Sequence, residues 1–491
     1  MASYADSVRG SSYTNAAFTL ERIIWRGAGR NIRKVMILET SESVPSVVPR
    51  PYQRPRFASD PSTFLLLCLM KPVLLFTVLS FSLTCGYAAD WPCFRGPGGS
   101  GIALEGNPPT TWDESTNIAW RVPLPGAGTS SPIIWKDHVY LTSHTGYGVS
   151  SKDRGDMEKL KRHLLCYQLS NGELLWQKDI SAKLPEFRYA KRMEWHGYAS
   201  HTPAADADSV YCFFGKSRVH AFSHGGEPRW QTLVGDETHG WGSAASPVLV
   251  GDLVVVNAFV ESGALVALDR KTGAEKWRYN GLKEAWDTPV AVTLPDGKVE
   301  LALGVFDKVL GIDAASGKEL WSSQGAKWYS VGSPITHNGV VYALSGKGFE
   351  AATAVRVGGR GEVTDSHRLW QVRKGSNVSS PLLHDGRLYF AHDQGSFFYC
   401  LDAKTGADVY TERLPRRFGT VYSSPVLAGG KIYLFSRQGG SVVIQPGGTF
   451  KILSQNPRLD ESPANSSPAI AGDQLLIRSD KFLYCIGEKG N

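Results

Sequence analysis

Three histidines (His196, His201 and His239) and two carboxylates (Glu284 and Asp287) are the groups best placed to do chemistry, because each stands among large aromatics. Trp195, Tyr198, Trp241 and Trp286 flank them, and Trp328, Tyr329, Asn377, Tyr422 and Asn465 follow in corresponding stretches further along. Imidazole can ligate zinc, but separations of 5 and 38 residues fit no zinc pattern. No cysteine or carboxylate companion is placed beside them by spacing, so no metal site is assigned. Asp287 stands at a strand start beside Trp286 with Glu284 near, a placement that could form a carboxylate site. A turn residue capping the start of a strand is the simpler reading of it. As a set, these side chains suit binding, because indole, phenol and imidazole combine a flat apolar face with a polar edge.

Something must hold those stretches side by side, and a repeat does. Ala267–Trp277 reads A-L-D-R-K-T-G-A-E-K-W, a strand, a tight Thr-Gly turn and a returning strand with an indole. The same object ends at Trp321, at Tyr410 and, in weaker form, at Trp176. Ser/Thr-Pro pairs precede the hairpins, at Pro132, Pro203, Pro247, Pro289, Pro334, Pro381, Pro425 and Pro468. Proline is tolerated at the first residue of a strand, where no ladder donor is lost. After each pair comes a glycine turn and a second strand. Each unit is therefore a four-stranded antiparallel meander (strands A to D) of roughly 44 residues, the signature of a propeller blade. Eight A strands predict eight blades in an all-β propeller.

The last unit stops without a D strand, and Asn117–Arg121 is a strand without A, B or C. Trp120 is thus expected to complete the last blade and close the ring, removing open sheet edges. Trp120, Trp176, Trp230, Trp277, Trp321 and Trp370 read as packing between blades, with Tyr410 in blade 6 and Phe450 or Ile452 in blade 7. Asp269, Asp313 and Asp402 are read as holding the Thr-Gly turns through local hydrogen bonds. Gly358–Arg368, a longer C–D connection in blade 5, reads as a surface loop.

The A-x-D-x-x-T-G-x-x-x-W hairpin resembles the pyrroloquinoline-quinone (PQQ) repeat of quinoprotein-like eight-bladed propellers, over Asn117–Gly487. The stretch W-P-C-F-R-G-P at Trp91–Pro97 is similar to a leader found before such propellers in exported bacterial proteins. The resemblance implies one of two functions, because the fold serves both calcium/PQQ dehydrogenases and the non-catalytic barrel-assembly lipoprotein BamB. The dehydrogenases commonly carry an adjacent cysteine pair beside the cofactor, and none occurs here. The BamB-like reading is the one adopted, with no cofactor expected. PQQ and calcium enter only under the alternative of an alcohol or sugar dehydrogenase, for which the resemblance implies a catalytic aspartate, with Asp287 as the candidate.

Charge and the start of the chain narrow the setting. The net charge is +7, but residues 1–89 hold ten Lys/Arg and five Asp/Glu, so the remainder carries +2 and no basic run. Nucleic-acid binding is not indicated. Residues 1–69 are polar and aperiodic, and read as a disordered or untranslated extension. Residues 70–89 read as a signal peptide starting at Met70 and cleaved near Ala89 or Asp90, a signal anchor being the alternative. A leader, residues 90–116, then precedes the propeller, residues 117–491. Cys93, Cys166, Cys212, Cys400 and Cys485 follow cleavage and read as buried small apolar residues, with Cys166, Cys400 and Cys485 in matching slots of the repeat.

In an antiparallel meander the B–C and D–A connections share one face. Two large insertions, His144–His163 and Asp179–His201, rise from it, together with all the aromatic and histidine stretches above. The expectation is a monomer exported to the periplasm or cell envelope. It would be a scaffold binding an envelope protein or a polysaccharide through that face, touching the membrane only through an N-terminal anchor.

Overall fold

The structure is a computed structural model and describes residues 90–325, 327–345, 351–393 and 397–488. The chain divides into two units, Met1–Phe81 and Ser82–Asn491, and all described residues belong to the second. The expected N-terminal extension and signal sequence lie outside the described residues.

Short apolar strands separated by glycine turns assemble into eight sheets, each with a four-stranded antiparallel meander. Blade 1 comprises Ile133–Trp135, His138–Thr145, Lys161–Gln168 and Leu174–Ser181. The eighth is made from both ends of the propeller: Ile118–Pro123 pairs with Phe482–Ile486, beside Gln474–Arg478 and Ala469–Ala471, with Trp120 opposite Cys485. The protein is an all-β eight-bladed propeller closed by its first strand. His144 and His163, expected in a loop, belong to strands B and C of blade 1; the insertion proper is residues 146–160.

The D-strand indoles explain why the repeat couples Trp to Gly. Trp230 lies over the Thr-Gly turn of the next blade, so closely that a Cβ on Gly273 would meet its ring at 2.5 Å. Its Nε1 donates to the Arg270 carbonyl at 3.0 Å. Trp120, Trp176, Trp277 and Trp370 repeat the arrangement on Leu169, His224, Ala314 and Ala403. Each turn aspartate does what the sequence predicts: Asp269 Oδ1 accepts from the Lys271 and Thr272 amides and the Thr272 hydroxyl.

Blades 4 and 7 depart from the pattern. Blade 5 has no Thr-Gly turn to offer Trp321, which donates instead to the fully buried Glu300 at 2.7 Å. Glu300 also accepts from Gly358 N (3.1 Å) and Arg360 (3.2 Å). The Gly358–Arg368 extension is therefore not a plain surface loop. Its Gly361–Glu362 segment pairs in parallel with Trp321–Ser322 as a fifth strand on blade 4, covering an edge that other blades leave open. In blade 7 the indole slot, opposite Val443, holds Ser454 rather than Phe450 or Ile452. Ser454 and Asn456 bind the Thr110 carbonyl of the leader, which brings Trp112 onto Phe435 and Tyr433 at 5.8 and 6.4 Å. A tryptophan from outside the repeat thus substitutes for the missing one.

The Ser/Thr before each proline has a role that proline chemistry does not suggest. The amide of Ser131 donates to the Thr202 hydroxyl, Thr202 to Ser246, and Ser246 to Thr288, at 2.9–3.0 Å. Thr288 continues to Ser333, Ser333 to Ser380, Ser380 to Ser424, and Ser424 to Ser467, at 2.8–3.0 Å. Ser467 N then donates to Ser131 Oγ at 3.0 Å, closing a ring around the axis. Ser131→Ala removes the acceptor at the junction of the last blade with the first. It is expected to cost about 1–3 kcal/mol, since a buried amide loses its partner, read as a lowered urea midpoint with an unchanged slope.

Candidate functional site at the loop face and axis

The leader closes the axis on the face carrying the A–B and C–D turns. Trp91 bridges to Ile134 and Ile102 to Leu427, so the segment spans from blade 1 to blade 7. Arg95 is 1% exposed, with Nη2 donating to the Pro381 carbonyl at 2.7 Å and to Ser100 O at 3.1 Å. Among the described residues its Nε and Nη1 have no partner, and burial lowers its pKa to about 9. Beside it a cavity of about 320 Å³ lies against Pro92, Phe94, Trp135, Pro247, Leu249 and Pro289.

Inside the ring is an axial chamber of about 120 Å³. All eight ring residues line it, with Phe94 also in its wall and Ser200, Trp286, Tyr422 and Asn465 contributed by the loop face. No charged side chain is in its wall. Trp195 stands over Tyr422 (6.3 Å between rings), and its carbonyl accepts from Arg437 and Asn465 at 2.8 and 2.9 Å. The long blade 1–2 connection therefore reaches across to blades 7 and 8.

That connection is held by its own small core, in which Tyr147, Leu160, Tyr189, Met193 and Tyr198 pack together. Tyr198 is a buried member of it, not a contact surface. Trp195 is 40% exposed and Trp328 is 50% exposed. The Arg192 guanidinium lies 5.2 Å from the Trp195 ring and 4.1 Å from that of Trp241. Trp241 stacks on Trp286 at 4.8 Å and meets Tyr329 edge-on at 4.6 Å, with His239 5.1 Å from Trp286. The chain thus gathers Trp241, Trp286, Tyr329 and His239 into one cluster, with Trp195 linked to it through Arg192.

Of the other predicted residues, His196 is joined to that cluster. His196 bridges Ser200 Oγ (2.7 Å) and the Trp241 carbonyl (2.6 Å), and burial lowers its pKa. His201 is buried against Ser243 Oγ at 2.9 Å, its pKa pushed down to about 3 by desolvation. The buried Asn377 amide meets Asp393 at 3.4 Å. Asp287 is not a simple turn cap, being 0% exposed. Its Oδ2 accepts from Gly304 N at 2.6 Å and from Ser330 at 3.3 Å, while Oδ1 has no partner among the described residues. Burial pushes its pKa up to about 8. Nothing in the sequence singles out Glu261, yet it is buried beside Gly215 with its pKa raised by desolvation to about 7. Among the described residues no three His, Cys, Asp or Glu side chains converge as metal ligands. The arrangement offers aromatic contact surface and a neutral polar chamber.

A model of the family described as outer membrane protein assembly factor BamB matches residues 161–412 and 261–489, well over half of the chain. The chain belongs to that family. The outer membrane protein assembly factor BamB of Yersinia pestis is 25% identical over 353 residues, covering 68% of this chain and 80% of that protein. A tetrathionate hydrolase of Acidithiobacillus ferrooxidans is 24% identical over 353 residues, covering 65% of this chain and 64% of the relative. A europium-containing methanol dehydrogenase shares the fold with a TM-score of 0.55 and 12% identity, over 81% of this chain and 97% of the other. The chain's relatives and structural neighbours thus include both an assembly factor and enzymes.

Proposed function

We propose that this protein is a non-catalytic, monomeric scaffold of the cell envelope that binds another envelope protein through the loop face. The observation that carries the reading is the exposure of Trp195 and Trp328 on that face, with arginine stacked on Trp195. Large aromatics beside arginine are the residue types that anchor protein interfaces. The family relation to an outer membrane protein assembly factor supports the same setting, and export through the N-terminal segment is part of the proposal.

The dehydrogenase alternative places PQQ, a tricarboxylate, and calcium on the axis. Their fit to this chain is poor. The chamber wall has no cation for the carboxylates and no carboxylate for calcium, and Asp287 is turned onto Gly304 N inside the protein.

A photo-crosslinking residue at Trp195 in the full chain is expected to capture an outer-membrane or periplasmic protein. The same residue at the exposed Leu104 of the leader is expected to capture none. Capture of envelope polysaccharide instead would favour a glycan-binding propeller. Saturable, calcium-dependent quenching of indole fluorescence by PQQ, with dye reduction on adding an alcohol or sugar, would sink the scaffold reading.

A further inference from the structure

The cavity of about 320 Å³ beside the leader is walled mainly by apolar groups, among them Phe94, Val248, Leu249, Val290 and Ala291. Its volume reaches the range of small-molecule sites, about 300–1,000 Å³. Among the described residues three charged side chains share the wall: Arg95, Asp206 and Arg270. Two of them answer each other. Arg270 Nε lies 3.3 Å from Asp206 Oδ2, which also accepts from the Tyr211 hydroxyl at 3.0 Å. Asp206 Oδ1 takes the Asp208 and Ser209 amides at 2.8 and 2.9 Å. Arg95 is left as the unmatched charge in the wall.

A buried guanidinium without a counterion is costly, because nothing of opposite sign offsets its desolvation. The bonds of Arg95 run to neutral carbonyls, those of Pro381 and Ser100, and burial is the one influence on its pKa. Its Nε and Nη1 lack partners among the described residues, and so does Nε1 of Trp135, a second donor in the same wall. Water can accept from these groups, but it brings no charge and finds few other partners against an apolar wall. A bare inorganic anion brings the charge but leaves the apolar walls without contacts. A carboxylate on an apolar body answers both features at once. Gly98 of the leader is exposed and also lines the cavity, which marks the way in.

We propose that the cavity beside the leader binds a small apolar monocarboxylate, of the medium-chain fatty-acid type, with its carboxylate paired to Arg95 and its chain among Val248, Leu249 and Val290. The site lies on the face opposite the aromatic loops and is independent of the partner reading above.

The test uses the full chain. Equilibrium dialysis with radiolabelled octanoate is expected to show one saturable site per chain. Octanol and octylamine should each displace it at least about ten-fold less well, since a bond between opposite charges is lost. Arg95→Gln is expected to weaken octanoate at least about ten-fold and to leave octanol as it was. Leu249→Trp fills the cavity, leaves the carbonyls that hold Arg95 in place, and is expected to abolish uptake of both. Crystals of the wild type soaked in ω-bromo-octanoate are expected to give an anomalous peak inside the cavity, a readout that stands even if both variants fail to fold. Four results would each overturn the proposal: no saturable uptake by the wild type, octanol bound as tightly as octanoate, bromine found only elsewhere on the chain, or unchanged octanoate affinity in either folded variant.

Discussion

Trp321→Ala is expected to be the costliest of the blade tryptophan substitutions, at about 5 kcal/mol or more. Truncating a buried indole costs about 3–5 kcal/mol in lost transfer energy and cavity. The other blade indoles donate to a backbone carbonyl, whose loss adds little. Trp321 donates to a carboxylate with no exposure, and a bond to a charged group contributes about 1.5–3 kcal/mol. Its removal also loosens the anchorage of Gly358 and Arg360, and with them the fifth strand on blade 4. Trp321→Phe isolates the polar part: it should lower stability by about 1.5–3 kcal/mol, against about 1 kcal/mol for Trp277→Phe, in urea unfolding followed by circular dichroism. Equal losses for the two phenylalanine variants would mean that the Glu300 bond contributes no more than an ordinary one.

The second large effect is a fall in stability above neutral pH, much of it carried by Asp287. Its carboxyl is raised from the ordinary value of 3.8 to about 8 in the folded chain. Between those values the folded state holds a proton that the unfolded state has released, so stability declines as pH rises, by up to ~1.4 kcal/mol per pH unit for one such group. Glu261, raised to about 7, adds a second contribution that ends sooner. His144 and His201 act oppositely. Burial holds both near 3, so the unfolded state binds more protons below its value of 6.5, and stability is lost as pH falls through that range. His196 and His220, also lowered by burial, add to this opposing contribution below about pH 6.5. From pH 6.5 to 8 the carboxyls act alone, and the melting temperature should drop. Asn in place of Asp287 keeps an acceptor for Gly304 N and has nothing to ionise. Asp287→Asn should therefore flatten the fall over this interval, and an unaltered slope would show that Asp287 does not carry it.

The blade count, the closing strand and the face of the long connections were all legible, because a repeat with a fixed Trp-Gly coupling states its neighbours directly. What escaped lay where a residue's partner is outside its own repeat. The Ser/Thr before each proline reads locally as a strand start, and only closure places it within reach of the next blade. Ser454 looks like a defect in blade 7 until the leader supplies Trp112. Asp287 resembles a turn cap because sequence shows that it begins a strand but not that Gly304 and Ser330 bury it. The aromatics of the loop face were legible as a set. Their division into exposed Trp195 and Trp328, clustered Trp241, Trp286 and Tyr329, and buried Tyr198 depends on packing between loops far apart in the chain.

Closure by the first strand also fixes when the protein can become itself. A ribosome releases Ile118–Pro123 near the start of the propeller and its partner, Phe482–Ile486, at the very end. Seven blades can form in sequence while the first strand waits, but the loop between these two strands is nearly the whole propeller, and long-range pairing of this kind is slow. Until it forms, Ser467 N has no Ser131 hydroxyl to meet, and Trp120 has no roof to make over Gly172. The nascent chain is thus an open spiral with a sticky seam, and a truncation that removes only the last few strands should leave an aggregating chain rather than a smaller propeller.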